Sequence, residues 1–174
     1  MQAVRLIFLL LAVSWFTGCE SSTPPTPPPL ATAPTPPLEP AHAQPKLATT
    51  KLYMGAETLE TEQALTEEQE MTGMMYRTNI QEADAMLFVL PVPQRASFWM
   101  KNCPESISAA YITGDGVIQE IHHLEKNDTT PVVSAQDNIQ YVLETSEGWF
   151  ARHHVTTGMV ITTEHGTLAQ TYFH

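Results

Sequence analysis

Only six lysine or arginine residues occur between Leu47 and His174, in a chain whose formal net charge is −11. Three of them, Arg77, Arg95 and Lys101, lie in or beside short apolar motifs. Cations gathered in an acidic background have two uses. They can neutralise the chain's own acids, with Glu144 at the end of "YVLE" an obvious partner, or they can hold an anion. In the second case Arg77 supplies a bidentate fork and Lys101 a point charge. The stretch "SFWMKN", Ser97 to Asn102, sharpens the choice. On a strand, Phe98 and Met100 share one face while Trp99 and Lys101 share the other. Either the second pair faces a polar ligand such as a sugar ring or a peptide, or Trp99 is buried and Lys101 snorkels to solvent. The candidate ligand-binding residues are therefore Arg77, Trp99, Lys101 and Asn102, with Glu144 nearby.

Other side chains offer weaker chemistry. Met71, Met74 and Met75 fall on one helical face, a spacing that suits a packed core and also suits soft Cu(I). His122-His123 and His153-His154 are adjacent pairs, and adjacent residues on a strand point to opposite faces. A metal site would need one member of each pair plus His165 or an acid, so no metal and no cofactor is assigned. Cys103 beside Lys101 would serve as a nucleophile only if its pKa were lowered. No phosphate loop, G-x-S-x-G elbow, H-E-x-x-H or zinc spacing occurs, which leaves the common hydrolase and nucleotide-enzyme classes without support.

Positioning these residues requires a folded domain, and the sequence places it at 47–174. Two strands flank Gly55 in "KLYMGAETLETEQA". Thr66 opens a helix, with Gln69 completing a capping box and Gly73 near its end. "AMLFVL" is a strand halted by Pro91 and Pro93, and "SFWMK" is the next. "ISAAYI" and "VIQEIHHL" flank the turn "TGDG", "IQYVLE" is a further strand, "SEGWFARH" a short helix, and "HVTTGMVIT" a turn and closing strand. The expected fold is mainly β, a single small antiparallel barrel or sandwich with one or two short helices.

Two appendages precede the domain. In residues 1–18, Arg5 is followed by an apolar run from Leu6 to Phe16, too short to span a bilayer and suited to a signal peptide. Thr17-Gly18-Cys19 then reads as a lipoprotein cleavage site that leaves Cys19 lipidated. Residues 19–46 follow as a linker, with ten of the fourteen prolines between Glu20 and Lys46. Such a tract stays extended and acts as a spacer. Loss of Arg5 with the signal takes the net charge from −11 to −12, which argues against nucleic acid as a partner. With Cys19 lipidated, Cys103 has no disulfide partner.

"MTGMMYR", "MLF", "FWMKN" and "YVLE", in this order and at these separations, resemble the prokaryotic family catalogued as domain of unknown function 192. The likeness runs from about Gln63 to Ile161. It implies a mainly β fold and brings no established activity. The chain departs from the family pattern at "NCPESIS", where Cys103 stands for the usual Thr and Ser108 for the usual Asp.

The expectation is thus a lipid-anchored cell-envelope protein facing the periplasm, the residue after Cys19 favouring the outer membrane. Its β domain would be a non-enzymatic binding module for a polar or anionic group on envelope glycan, peptide or protein. The alternatives are an envelope hydrolase, using Cys103 or using Glu144 with a histidine, and a soft-metal (copper) handling protein.

Overall fold

A computed structural model describes residues 39–173 of the chain. The proposed signal peptide, Cys19 and the linker up to Leu38 lie outside the described residues. Strands β1 (Thr49–Met54) and β2 (Glu57–Ala64) form an antiparallel hairpin. Helix α1 (Glu67–Thr72) follows. The Thr66 hydroxyl accepts from Gln69 N–H while the Gln69 side chain caps the Thr66 amide, and Gly73 ends the helix. Next come β3 (Ala85–Gln94), β4 (Ser97–Phe98), β5 (Ile107–Thr113), β6 (Ile118–Leu124), β7 (Val132–Val133) and β8 (Ile139–Ser146). Helix α2 (Trp149–Arg152), β9 (Ile161–Thr163), β10 (Gly166–Thr167) and helix α3 (Leu168–Tyr172) complete the domain.

Eight strands make one curled sheet in the order β10-β9-β1-β2-β3-β8-β5-β6, and β4 pairs with β7 apart from it. The mainly β expectation holds, with three short helices where one or two were expected. One strand pair, β2 with β3, is parallel because the chain crosses over through α1 and a long loop between them. The two ends of the sheet meet at a seam, where Val117 bridges Val160. There Ile161 N–H donates to the Gly116 carbonyl at 2.8 Å, and Ile118 N–H to the Met159 carbonyl at 2.9 Å. Gly116 has φ +82°, and a Cβ there would sit 2.7 Å from the Ile161 carbonyl oxygen, so only glycine lets the hairpin come this close.

Strands β5 and β8 are buried along their whole length because both faces of the sheet are covered. One face carries Leu52, Leu87, Tyr141 and Leu143 under Trp149, Phe150 and Leu168. The other carries Met86, Phe88, Tyr111 and Val142 under Met74, Met75 and Met100. Those last three residues lie in irregular loops, which fill the second face in place of helices.

Two local expectations are corrected. Strand β3 runs through Pro91 and Pro93 instead of stopping there. Its register with β8 shifts between Val89 and Gln94, so the prolines sit where the ladder is already broken and no amide is missed. "SFWMK" is extended only at Ser97–Phe98, since Met100 N–H turns aside to the Asp128 carbonyl and Cys103 N–H to that of Met100.

Candidate functional site

Registers across four strand pairs put Glu62, Met86, Glu144, Ala109 and His122 in one line across the sheet. Residues in register on neighbouring strands share a face, so these five project toward the loops that carry Met74 to Arg77 and Met100 to Cys103. Glu62 and Glu144 are two strands apart, which is roughly 10 Å between their Cα atoms. Arg77 comes down over them from the loop after α1.

Arg77 grips Glu62 through both terminal nitrogens, Nη1 to Oε1 at 2.6 Å and Nη2 to Oε2 at 2.8 Å. The Leu47 amide adds a third bond to Glu62 at 2.7 Å. The pair is largely buried, with 17% of the Arg77 side chain and 4% of the Glu62 side chain exposed. Burial alone would push the Glu62 carboxyl up, but the hydrogen bonds from Arg77 and Leu47 and the Arg77 charge hold it below its ordinary value. The sequence pointed to Glu144 as the neutralising acid; the structure gives the ion pair to Glu62.

Glu144 is 4% exposed, and no described residue hydrogen-bonds to its carboxyl. Burial pushes it up to about 8, with the Arg77 charge offsetting part of the rise. Burial thus favours the protonated form, which can donate a hydrogen bond. Burial and the neighbouring Glu144 also push the Cys103 thiol up to about 12, the opposite of an activated nucleophile. Its Sγ lies 3.6 Å from the Lys101 carbonyl.

Trp99 and Lys101 lie outward. The indole is 46% exposed, and the Lys101 ammonium lies 5.5 Å from its ring centroid. Asn102 takes a left-handed conformation, φ 58°, and its carbonyl accepts from Tyr76 N–H at 2.7 Å, which sets the two loops side by side. Tyr76, itself 37% exposed, thereby joins Trp99 and Lys101 at the rim. Arg95 stands elsewhere, its guanidinium donating to the carbonyls of Ser134 and Ala135.

Residues 39–48 cross this side of the domain as a strap. The Gln44 amide donates to the carbonyls of Gln69 and Gly73 and lies 3.9 Å from the Met86 sulfur. Between strap and sheet is a cleft of about 330 Å³ whose walls include Gln44, Lys46, Glu62, Tyr76, Arg77 and Asp84. Glu62, Tyr76, Asp84 and the strap were not among the residues singled out from sequence. The alternation in β2 puts Glu60 and Glu62 on one face, opposite Leu59 and Thr61, and gives no sign that Glu62 is buried while Glu60 stays exposed.

The remaining candidates disperse. Met74 and Met75 follow the helix instead of lying on it, and both are packed into the core, while Met71 is on the surface. His122 hydrogen-bonds to Glu120 at 2.9 Å and packs on Tyr111. His153 bridges Glu57 and Glu82 and stacks on Trp149. Among the described residues no three His, Cys, Asp or Glu side chains converge as metal ligands.

Fold and site together define a small curled-sheet β domain with a strap-walled polar cleft beside an exposed aromatic and cationic rim. The model of domain of unknown function 192, described as an uncharacterized ACR family, matches residues 49–163, and the chain belongs to that family. Among curated proteins none matches the chain. Two solved structures are similar. One, from Sinorhizobium meliloti 1021, is described as a "putative transcription regulator"; it is 25% identical, with 70% of this chain and 98% of that chain covered at a TM-score of 0.65. The other is a protein of unknown function from Novosphingobium aromaticivorans DSM 12444, 24% identical, with 76% and 94% covered at a TM-score of 0.64.

Proposed function

We propose that this chain is a non-enzymatic binding module of the cell envelope, held to the membrane through a lipidated Cys19 and facing the periplasm. Its site takes a polar or anionic group at Trp99, Lys101 and Asn102, with Arg77 and the buried acid Glu144 behind them. The observation that carries the reading is the exposure of Trp99 and Tyr76 beside the cleft, next to a half-exposed Lys101 whose ammonium is met by the exposed Glu39 carboxylate alone among described acids. A large indole left half in water next to one of few cations forms a surface that burial alone does not explain. Arg77 contributes as the wall that fixes the loop, since both of its terminal nitrogens are engaged by Glu62.

The test is thermal unfolding of the full chain in glutarate and in glucuronate, two small carboxylates, at matched ionic strength. Both are expected to raise the melting temperature of the wild type, and to raise that of Lys101→Ala less. Equal responses of the two chains would refute the reading. Lys101 suits this test because it is half-exposed at the rim and its removal leaves only the exposed Glu39 carboxylate without its partner.

A further inference from the structure

One segment already sits on the exposed rim, and it comes from the chain itself. The Glu39 carboxylate pairs with the Lys101 ammonium. The next residue, Pro40, offers its carbonyl to the Tyr76 hydroxyl at 3.0 Å. Consecutive residues thus satisfy the cation and the phenol of one surface, and they do so from an extended segment that has no other polar hold there among the described residues.

The strap is held unevenly. Its C-terminal half is fixed by the Gln44 amide on two carbonyls and by the Leu47 amide on buried Glu62. The polar hold of its N-terminal half on the rest of the domain is the two rim contacts, with Pro40 and Ala43 half-buried. The Glu39–Lys101 pair is the solvent-exposed kind, 57% and 35% exposed, which competes weakly with water and with other carboxylates. Residues 39–43 can therefore lift while Gln44 onward stays in place.

We propose that the surface formed by Tyr76, Trp99 and Lys101 receives an extended, proline-bearing acidic segment of a partner protein, and that Glu39–Pro40 fills it in cis until such a segment displaces them. This rests on the binding reading above and names its ligand class. The chemistry is specific. Proline fixes φ, so the segment arrives already extended and loses little entropy on docking. Its carbonyl has no competing amide, and it meets a tyrosine hydroxyl. The acid meets Lys101, and the indole offers an apolar face to the proline rings. The domain's own acidity would repel such a peptide almost everywhere else, which confines it to the rim.

The experiment uses the full chain and a fluorescently labelled peptide of its own residues 35–42, TPPLEPAH, with anisotropy as the readout. Glu39→Lys lifts the strap without touching the folded core. It is expected to bind the peptide about two- to fivefold tighter than the wild type, because apparent affinity scales with the fraction of open sites and an exposed pair holds the site closed only weakly. Adding Lys101→Glu to Glu39→Lys is expected to abolish binding. A version of the peptide with its prolines changed to alanine is expected to bind at least several-fold more weakly. Equal peptide affinity for the wild type and Glu39→Lys would overturn the proposal, as would full affinity of the proline-free peptide. If glutarate still stabilised the wild type through Lys101 in that event, the binding reading would stand and only the peptide and strap assignment would fall.

Discussion

Replacing Arg77 with methionine keeps the aliphatic stem and deletes the guanidinium, leaving Glu62 with the Leu47 amide as its one remaining hydrogen bond. Two charge-assisted bonds to a nearly buried carboxylate are lost. Each contributes about 1.5–3 kcal/mol, and breaking a buried pair from one side costs about 3–5 kcal/mol. The partial exposure of Arg77 admits some water, so the lower half of that range is expected. For a domain of this length, such a loss corresponds to a drop of about 10–20 °C in melting temperature. Urea unfolding followed by tryptophan fluorescence is the assay, with the slope unchanged if the native state keeps its compactness. Adding Glu62→Gln removes the orphaned charge and retains an acceptor for Leu47, so at least half of the loss should return. The wild-type pair also carries a pH signature. The folded pKa of Glu62 lies below its ordinary 4.5, so its contribution is complete above that value and fades as pH falls through the folded one. A loss below about 1 kcal/mol for Arg77→Met, or no recovery in the double variant, would refute the claim that the pair is a structural unit.

Glu144 predicts the opposite dependence. Its folded pKa is raised to about 8, so the folded state holds a proton that the unfolded state releases near 4.5, and stability falls by up to roughly 1.4 kcal/mol per pH unit between the two. Glu144→Gln should flatten that decline in urea melts at pH 5–8, and an unchanged slope would contradict it. Cys103, buried with its thiol pushed up to about 12, should react with a thiol-disulfide reagent at pH 8 far more slowly in the native chain than in urea. Equal rates would show an accessible thiolate. Gly116→Ala should cost about 1–3 kcal/mol, from strain at positive φ and from the 2.7 Å approach to the Ile161 carbonyl; a neutral result in thermal melts would mean that the seam can open without cost.

Much of the fold was legible where local chemistry decides it. The Thr66–Gln69 capping box, the Gly55 hairpin and the "TGDG" hairpin all appear where residue type demands them. Thr167–Gln170 carries the same capping-box pattern, and α3 forms on it just beyond the expected closing strand. Strand β3 was cut short because proline is costly only where a ladder bond is required, and the register shift that removes the requirement depends on β8, some 50 residues on. The site was half legible. Arg77, Trp99, Lys101 and Asn102 do share one region, because "MMYR" and "FWMKN" lie in loops that meet at the Tyr76–Asn102 bond. Which acid Arg77 takes could not be read. Glu62 and Glu144 are both strand residues on the same face, and only the parallel crossover from β2 to β3 brings Glu62 within reach. The strap was invisible for a different reason: a proline-rich composition reports extension and says nothing about what the extended chain lies against.

The order of the strap's contacts along the chain has a mechanical consequence. A pull from the N-terminal side reaches Glu39 first, then Pro40, and only afterwards the Gln44 amide and the Leu47–Glu62 bond. Loaded this way the bonds fail one at a time, as in peeling tape, and not together, as in shear. Modest tension would strip the rim bare while the deeper fastenings and the folded sheet stay intact.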